Sequence, residues 1–590
     1  MAKIFLFALF FFHLLSLCAG PTKQLLIEAE SFQTTGGWVI DPQFVEQMGS
    51  PYLLAHGMGK PVENAKTTVS FPSTGIYHIW VRTKNWVPGD WKAPGRFKLI
   101  VNGTELETEL GTQSGWSWQY DGNMKIDKKQ SVIELHDLTG FEGRCDAIYF
   151  NTEKTAPPSS AEELAQWRKK LVKEPDSPKT VHQYDLVIVG GGIAGCAAAI
   201  VAAEQGLNVA IVHDRPVLGG NASSEVRVHT EGITGYSDRI LSMLNSSMWK
   251  NGSPKSEDDV VKRHTNIEKY KNIKLYLNYR AYGANASHNF INSVDARHTS
   301  SGETTRFKAP LFIDCTGDGW IGYWAGADYL YGREDSTKFG EAWSQHGELW
   351  SGSKSDNRVM GASILWRSKK SGTPAPFPAV PWAKDVAKSY AAINGEWQWE
   401  YSDNDLQQIE DAEQIRDHLL QAIYGSFYNA KQDSRNDSIQ LEWVGYVAGK
   451  RESRRLMGDY IYTFEDEKTG RKFPDGVVVE RRAVDVHFQQ MIKEKDKPDF
   501  LSEAMFYKTG DYYIPYRTLY SRNINNLLMA GRCFSCSHIG LGGPRVMNTT
   551  GQMGVAVGYA ASLCKKYKTD PRGVYKNHII ELRKLIQVKD

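Results

Sequence analysis

The segment Tyr184–Gly220, YDLVIVGGGIAGCAAAIVAAEQGLNVAIVHDRPVLGG, decides the reading of the chain. The apolar strand Asp185–Val189 runs into three glycines, an alanine-rich helix follows, and a second apolar strand, Val209–Val212, comes after it. Gly190, Gly192 and Gly195 stand at the G-x-G-x-x-G spacing. In a strand–turn–helix the first glycine permits the tight turn, the second lets a pyrophosphate approach the backbone, and the third lets helix and strand pack closely. The helix N-terminus then offers N–H groups and the positive end of its dipole to phosphates. The spacing alone is a weak signal, but the flanking strands and helix supply the context of a dinucleotide-binding βαβ unit. Gly190, Gly192, Ala194 and Gly195 are therefore expected at the cofactor. A ribose-binding acid is expected at the end of the second strand. His213 stands where glutamate is usual, so Asp214 becomes the candidate, with Arg215 beside it.

Working outward, 590 residues suit two or three domains. The formal charge of +2, with acids and bases interspersed, argues against nucleic acid as a partner. Met1–Gly20, MAKIFLFALFFFHLLSLCAG, has one lysine, an apolar run and a small-residue end, the pattern of a signal peptide cleaved near Ala19 or Gly20. Leu17 before Cys18 is too large for a good lipoprotein site. With no later run long enough for a transmembrane segment, a secreted or periplasmic protein is expected. Of the Asn-x-Ser/Thr sequons, those at Asn221 and Asn548 fall in loops assigned to the cofactor, where a glycan would not fit, which favours a bacterial chain.

Residues 21–153 read as a β-sandwich: short apolar or alternating runs such as Gln24–Ala29, Tyr77–Arg82, Phe97–Val101, Ser131–His136 and Ala147–Asn151 are punctuated by Gly, Pro and Asn. Trp86, Trp91, Trp116, Trp118 and Tyr120 fall in loop-like stretches, where they either stack on sugar rings or pack against the next domain. LIEAESF, GIYHIWVRTKNW, GRFKLIVNG and DAIYF together resemble the carbohydrate-binding β-sandwich modules of glycan-degrading enzymes. That resemblance implies a structural calcium at Glu28, Glu30 and Asp146, whose hard oxygens suit the ion. Residues 154–181 read as a linker with one polar helix, Ala161–Lys173.

Beyond the linker, GGGIAG, RPVLGGNASSEVRVH, LFIDCTGDGWIGYWAGAD, GKRESRRLMGDY, YYIPYRTLYSRNINNLLMAGRCFS and PRVMNTTGQMGVAVGYAA occur in that order. Together they resemble a family of FAD-dependent oxidoreductases of bacterial glycan-utilisation systems, within the glutathione-reductase-like flavoprotein class. The resemblance implies a multidomain chain: after the N-terminal β-sandwich, an α/β Rossmann-like FAD domain with a parallel sheet and a β-meander, interleaved with an α+β substrate domain. The expected parts are residues 182–331 for the first part of the FAD domain, 332–520 for the substrate domain, and 521–590 for the last part with a C-terminal helix. Ile273–Leu277, Phe290–Ala296 and Thr304–Phe307 are expected in the meander, Leu311–Ile313 and Asn526–Gly531 in buried strands.

Expected cofactor contacts beyond the first turn are Gly220, Asn221, Ser224, Asp318, Gly531, Arg532, Arg545, Asn548 and Thr549. Arg545 and Asn548, at the start of the last helix, would face the flavin's pyrimidine edge and stabilise its reduced form. Hydride transfer from a hydroxyl also needs a proton acceptor; His229 and His538 are the candidates, with Arg227 and Glu225 positioning substrate. Arg451, Arg454 and Arg455 with Glu452 read first as a structural ion-pair cluster. Cys533 and Cys536 form C-x-x-C directly after a strand end, which fits a buried thiol pair or a structural disulfide better than dithiol redox chemistry. The expected activity is oxidation of a sugar or glycan-derived hydroxyl, with an electron acceptor of undefined kind. The alternatives are a glycan lyase or glycosidase working through transient oxidation, and a glycan-binding protein with a non-catalytic flavin fold.

Overall fold

The computed structural model describes residues 23–247 and 249–589, so the leader expected over residues 1–20 lies outside the described residues. Alternation builds the N-terminal sandwich. In Gly75–Thr83 the side chains of Tyr77, Ile79 and Val81 are fully buried, and they share one core with Leu99, Val101, Ile133 and Leu135 of the facing sheet. One antiparallel sheet runs Gln24–Glu28, Ala147–Asn151, Gly75–Thr83, Ser117–Ile126; the other runs Ala65–Ser70, Gln130–Asp137, Phe97–Val101, Thr104–Glu105. Three short strands, Phe141–Cys145, Tyr52–His56 and Val39–Asp41, extend the module toward the rest of the chain.

The stretch read as a linker is shared: its helix packs on this module, while its end, Lys179–Val181, pairs in parallel with Thr304–Phe307. Its helix, Ala161–Leu171, buries Leu164 and Arg168, and Trp167 meets Tyr149 and Trp118 with ring centroids 4.9 and 5.9 Å apart. Arg168 enters the cluster where calcium was expected, while Glu30 keeps a buried carboxylate oxygen without a hydrogen-bond partner. The Arg168 guanidinium donates to Asp146 and to Ser50, Arg82 donates to the same carboxylate at 2.6 Å, and Glu28 lies 3.5 Å from Arg168. Two fixed guanidinium charges thus stand where an ion was expected. Among the described residues no group of three His, Cys, Asp or Glu side chains is placed to hold a metal.

The nucleotide-type unit is a parallel five-stranded sheet in the order Ile273–Leu277, Val209–His213, Leu186–Val189, Leu311–Asp314, Leu527–Met529. Four of its strands are buried on both faces, which explains their apolar sequences, whereas the edge strand Ile273–Leu277 is only half-buried and exposes Lys274. Ile273–Leu277 was expected in the meander but pairs in parallel with Val209–His213. Asn278, at φ +61°, turns the chain out of that sheet, and the meander begins instead at Tyr279–Ser287, followed by Phe290–His298 and Thr304–Phe307. YRAYGANAS escapes a propensity reading because its Ala, Gly and Asn are poor strand formers.

Helix Ile193–Glu204 packs on the long helix Met547–Tyr567 almost backbone to backbone. A Cβ on Gly554 would fall 2.2 Å from the Ala194 carbonyl oxygen, and one on Gly558 would fall 2.8 Å from that of Ala198. The run of Ala and Gly on both helices follows from this closeness.

Between these parts, helix Ala412–Lys431 reaches across to the sandwich. Arg416 donates to Asp41 at 2.8 Å and to the Tyr52 hydroxyl at 2.7 Å. Arg144 of the sandwich donates to both oxygens of Asp417, at 2.6 and 2.9 Å, and all four charged groups are buried. The loop tryptophans serve the same seam. The Trp86 ring lies 6.0 Å from that of Trp382 and 6.5 Å from that of Tyr424, Trp91 also faces Trp382, and Trp116 donates its indole N–H to Glu413 at 3.1 Å. Trp118 packs on the linker helix. These four rings are used in packing; Trp118 and Tyr120 lie on strand Ser117–Ile126 and not in a loop, and Tyr120 is half-buried beside Trp80.

Replacement of Gly554 by leucine is expected to force the two central helices apart and to cost at least about 1–3 kcal/mol. Thermal unfolding checks this: the variant's Tm should fall by several degrees, with loss of soluble yield at the severe end.

Candidate active site

The glycine turn is built as the spacing requires. Gly190 has φ +109°, and a Cβ there would lie 2.1 Å from the Cys315 carbonyl oxygen. A Cβ on Gly195 would lie 1.9 Å from the Gly190 carbonyl oxygen, so strand and helix meet there with no room for a side chain. Gly192 differs: its φ is −69°, and a Cβ would find only the Gly220 Cα, 4.0 Å away. Gly192 lies against Gly220, and in front of the pair the N-terminus of helix Ile193–Glu204, which has no side-chain cap, opens into a cleft. That cleft and the uncapped amides fit a pyrophosphate.

His213 explains the missing glutamate. The Gly191 N–H donates to its Nδ1 at 3.0 Å, so Nε2 carries the proton and donates to the Val217 carbonyl at 3.0 Å. This histidine fastens the glycine loop from behind. Asp214, next to it, lines the cleft and accepts from Arg280 at 2.8 Å. Burial would raise the Asp214 pKa, but Arg280 above all outweighs it and holds the carboxyl below its ordinary range.

The cleft passes from these residues along Gly317–Asp318 and Gly531–Arg532 to Arg545 and Met547. Asp318 accepts from Lys450 at 2.9 Å, Arg532 at 2.9 Å and Ser453 at 2.6 Å. Burial pushes its pKa up, yet Lys450 and Arg532 outweigh burial and keep it ionised far below the usual carboxylate range. Asp318, expected as a cofactor contact, thus lines the cleft as a clamp joining three distant segments. At the far end, Arg545 is ion-paired to Asp485 and lies 3.3 Å from the Nε2 of His487. His487 is held on its other nitrogen by Glu400 at 2.6 Å, and Arg451 lies 3.4 Å from the same carboxylate. Burial would raise Glu400, but Arg451 and His487 keep it below its ordinary range.

Of the residues expected at the cofactor, Gly190, Gly192, Ala194, Asp214, Arg215, Gly220, Asn221, Asp318, Gly531, Arg532 and Arg545 line this one cleft. Arg215 is paired with Glu225 through two bonds of 2.6 and 2.8 Å, so neither charge is left for substrate there. Gly195, Ser224, Asn548 and Thr549 stand outside the lining. Asn548 donates to the Gly232 carbonyl at 2.9 Å, Thr549 donates to Glu480, and the Ser224 carbonyl accepts from Arg227. Arg227 itself stacks over Trp443 and pairs with Glu257. Neither catalytic histidine candidate lines the cleft. His229 is half-buried against Asn251, at 2.7 Å. His538 is buried, with Nδ1 2.8 Å from Glu452 and its backbone N–H donating to Glu334 at 2.9 Å. Lys450, Arg280, Glu400, Asp485 and His487 went unremarked in the sequence. They lie in segments without motif spacing, and only Lys450, inside GKRESRR, had a local signal.

The arginine run divides. Arg455 pairs with Glu334 at 3.0 Å and with Glu452 at 3.4 Å, and Arg454 stacks over Tyr323, 3.8 Å from the ring centroid. Both brace the fold. Cys533 and Cys536 are buried free thiols, as are or nearly are the other described cysteines. Burial pushes both thiols well above their ordinary range, which disfavours the reactive thiolate.

A parallel sheet, an uncapped helix behind a glycine turn and a cation-lined cleft along the strand ends define a dinucleotide-binding enzyme of the Rossmann type. Residues 185–586 match the model of the FAD dependent oxidoreductase family, and the chain belongs to that family. FAD is its cofactor. The soluble pyridine nucleotide transhydrogenase of Ectopseudomonas mendocina is 34% identical over 85 residues, 14% of this chain and 18% of that one. The tRNA uridine 5-carboxymethylaminomethyl modification enzyme MnmG of Karelsulcia muelleri is 30% identical over 121 residues, 16% of this chain and 19% of that one. The chain thus spans less than a fifth of the length of these curated relatives. Among solved structures, a geranylgeranyl bacteriochlorophyll reductase-like protein of Thermoplasma acidophilum has 13% identity, covering 70% of this chain and 84% of that one at a TM-score of 0.31. Among the described residues no helix is long and apolar enough to cross a membrane.

Two outcomes follow from the geometry. Gly192→Val leaves the local packing undisturbed but fills the cleft in front of Gly220, so the protein should purify folded and colourless; the ratio of visible to ultraviolet absorbance, set beside circular dichroism, checks this. The second concerns pH. Burial pushes Glu341, which accepts from Ser537 and Phe464, up to about 7 from an ordinary 4.5. A raised carboxyl binds more protons folded than unfolded, so its stabilisation is full below pH 4.5 and is lost as pH rises through 7, by about 1.4 kcal/mol per pH unit. The fall in Tm from pH 5 to 7.5 should therefore be shallower in Glu341→Gln than in the parent.

Proposed function

We propose that this FAD-dependent oxidoreductase removes a hydride from a hydroxyl of a sugar or glycan-derived substrate, outside the cytoplasm. The observation that carries the redox half is the single cleft running from the Gly192–Gly220 pair to Arg545. Support for a carbohydrate comes from the ordered motifs and from the N-terminal sandwich, which resemble parts of glycan-degrading systems. Support for export comes from the Met1–Gly20 leader pattern.

When bound, FAD supplies the hydride acceptor. The chain's own residues divide the remaining work. The helix N-terminus at Gly192, together with Lys450 and Arg532, counters phosphate charge. Arg545, fixed by Asp485, presents a cation that costs no reorganisation when negative charge develops in the cleft. A hydroxyl that gives up a hydride also gives up a proton. His487, with Nδ1 on Glu400 and Nε2 accepting from Arg545, is a positioning residue that fixes this cation from behind the cleft wall, beside which the proton leaves.

The test is spectroscopic. The purified protein should show a flavin absorbance band that bleaches when a panel of mono- and oligosaccharides is added without oxygen. Absence of bound flavin in the native protein would sink the reading at its root. Bleaching by a thiol but by no sugar would remove the carbohydrate assignment. Cleavage of a glycan with no added electron acceptor would select the lyase form of the chemistry over simple dehydrogenation.

A further inference from the structure

One wall of the cofactor cleft comes from outside the nucleotide-binding fold. Phe44, Glu46 and Gln47, on or beside the short helix Val45–Met48 of the N-terminal sandwich, line the same cleft as Gly192 and Asp214. They are held there from both sides. Arg280, on the first meander strand, donates to Glu46 at 2.6 and 2.7 Å and to Asp214 at 2.8 Å, so one guanidinium spans the gap between the sandwich and the end of the second parallel strand. On the other flank, Gln47 donates to the Ile409 carbonyl at 2.6 Å and Gln43 to the Tyr446 carbonyl at 3.0 Å. Behind them the buried Arg416–Asp41 pair locks the module.

The place of this wall matters. The end of the second strand is where a βαβ unit binds the adenosine ribose of its dinucleotide. Glu46 and Gln47 therefore stand across from the position the ribose takes, and Arg280 sets the distance between the two sides. We infer that the N-terminal sandwich completes the adenosine half of the FAD site, with Glu46 and Gln47 as cofactor-positioning residues beside Asp214. The inference rests on the FAD assignment of the cleft. It makes the sandwich a component of the cofactor site, and couples its docking to flavin retention.

The experiment uses the full-length chain stripped of flavin and titrated separately with FAD and with FMN, which lacks the adenosine half. Gln47→Ala and the conservative Glu46→Gln are compared with the parent. Each should weaken FAD by roughly threefold to tenfold, the loss of one or two hydrogen bonds, and leave FMN affinity unchanged. FAD affinity equal to the parent's in both variants would overturn the inference, as would an equal loss for FAD and FMN, which would mark a structural effect. A parent chain that binds neither flavin would overturn the cofactor assignment itself, a distinct result.

Discussion

The structure depends on one contact that a single methyl group would abolish. The Cα of Gly195 sits so near the Gly190 carbonyl oxygen that no side chain fits between them. Because strand and helix meet at this distance, the helix N-terminus opens into the cleft bordered by Gly192 and Gly220, and the strand ends on either side form a continuous edge. The same closeness passes on to the next layer, where Gly554 and Gly558 seat helix Met547–Tyr567 against Ala194 and Ala198. The cofactor cleft is thus a consequence of backbone packing, and its polar residues are added to an edge that is already fixed.

Charge holds the remaining parts in register. Asp41–Arg416 and Arg144–Asp417 are buried, and pairs of this kind contribute little net stability because desolvation offsets their attraction. Breaking one by removing a partner is expensive, which makes them effective at specifying a single docked arrangement. Arg168 in the cluster of Glu28 and Asp146 acts alike within the sandwich. In the cleft, Asp318 does for three separate segments what Arg416 does for two domains, since Lys450, Ser453 and Arg532 all converge on it. Neutralising Asp318 in this way leaves the lining with a positive balance, which suits a dinucleotide.

Much of the nucleotide-binding edge was legible in the chain because glycine spacing, apolar strands and the small-residue helix each report a short-range constraint. Gly190, Gly192 and Gly195 need only their neighbours to be understood. The meander boundary was misread because YRAYGANAS forms its strand through partners, against its own propensity. His213 and Asp146 depart from the family pattern for a different reason. A family pattern predicts an acid or an ion at each place, whereas the chain fills the first with a side chain that braces the turn and the second with a guanidinium from a helix 22 residues away. His487, Glu400 and Asp485 lie in three stretches with no common spacing, and only the fold brings them to Arg545.

The tryptophans bear on where a sugar would be recognised. A binding module that captures glycans on its own needs exposed aromatic platforms, and Trp86, Trp91, Trp116 and Trp118 are committed to the seam and to the linker helix. Loops whose rings are used for docking have little left to offer a polysaccharide. If the substrate is a sugar, its selection falls to the cleft beside Arg545, where the hydroxyl must be oriented for hydride loss in any case. Orientation of a small polar molecule rests on a few fixed donors and acceptors, and Arg545, held by Asp485 and His487, is one whose own position is set by buried partners. Binding and chemistry would then share one set of residues, and the sandwich would serve the cofactor end of the same cleft.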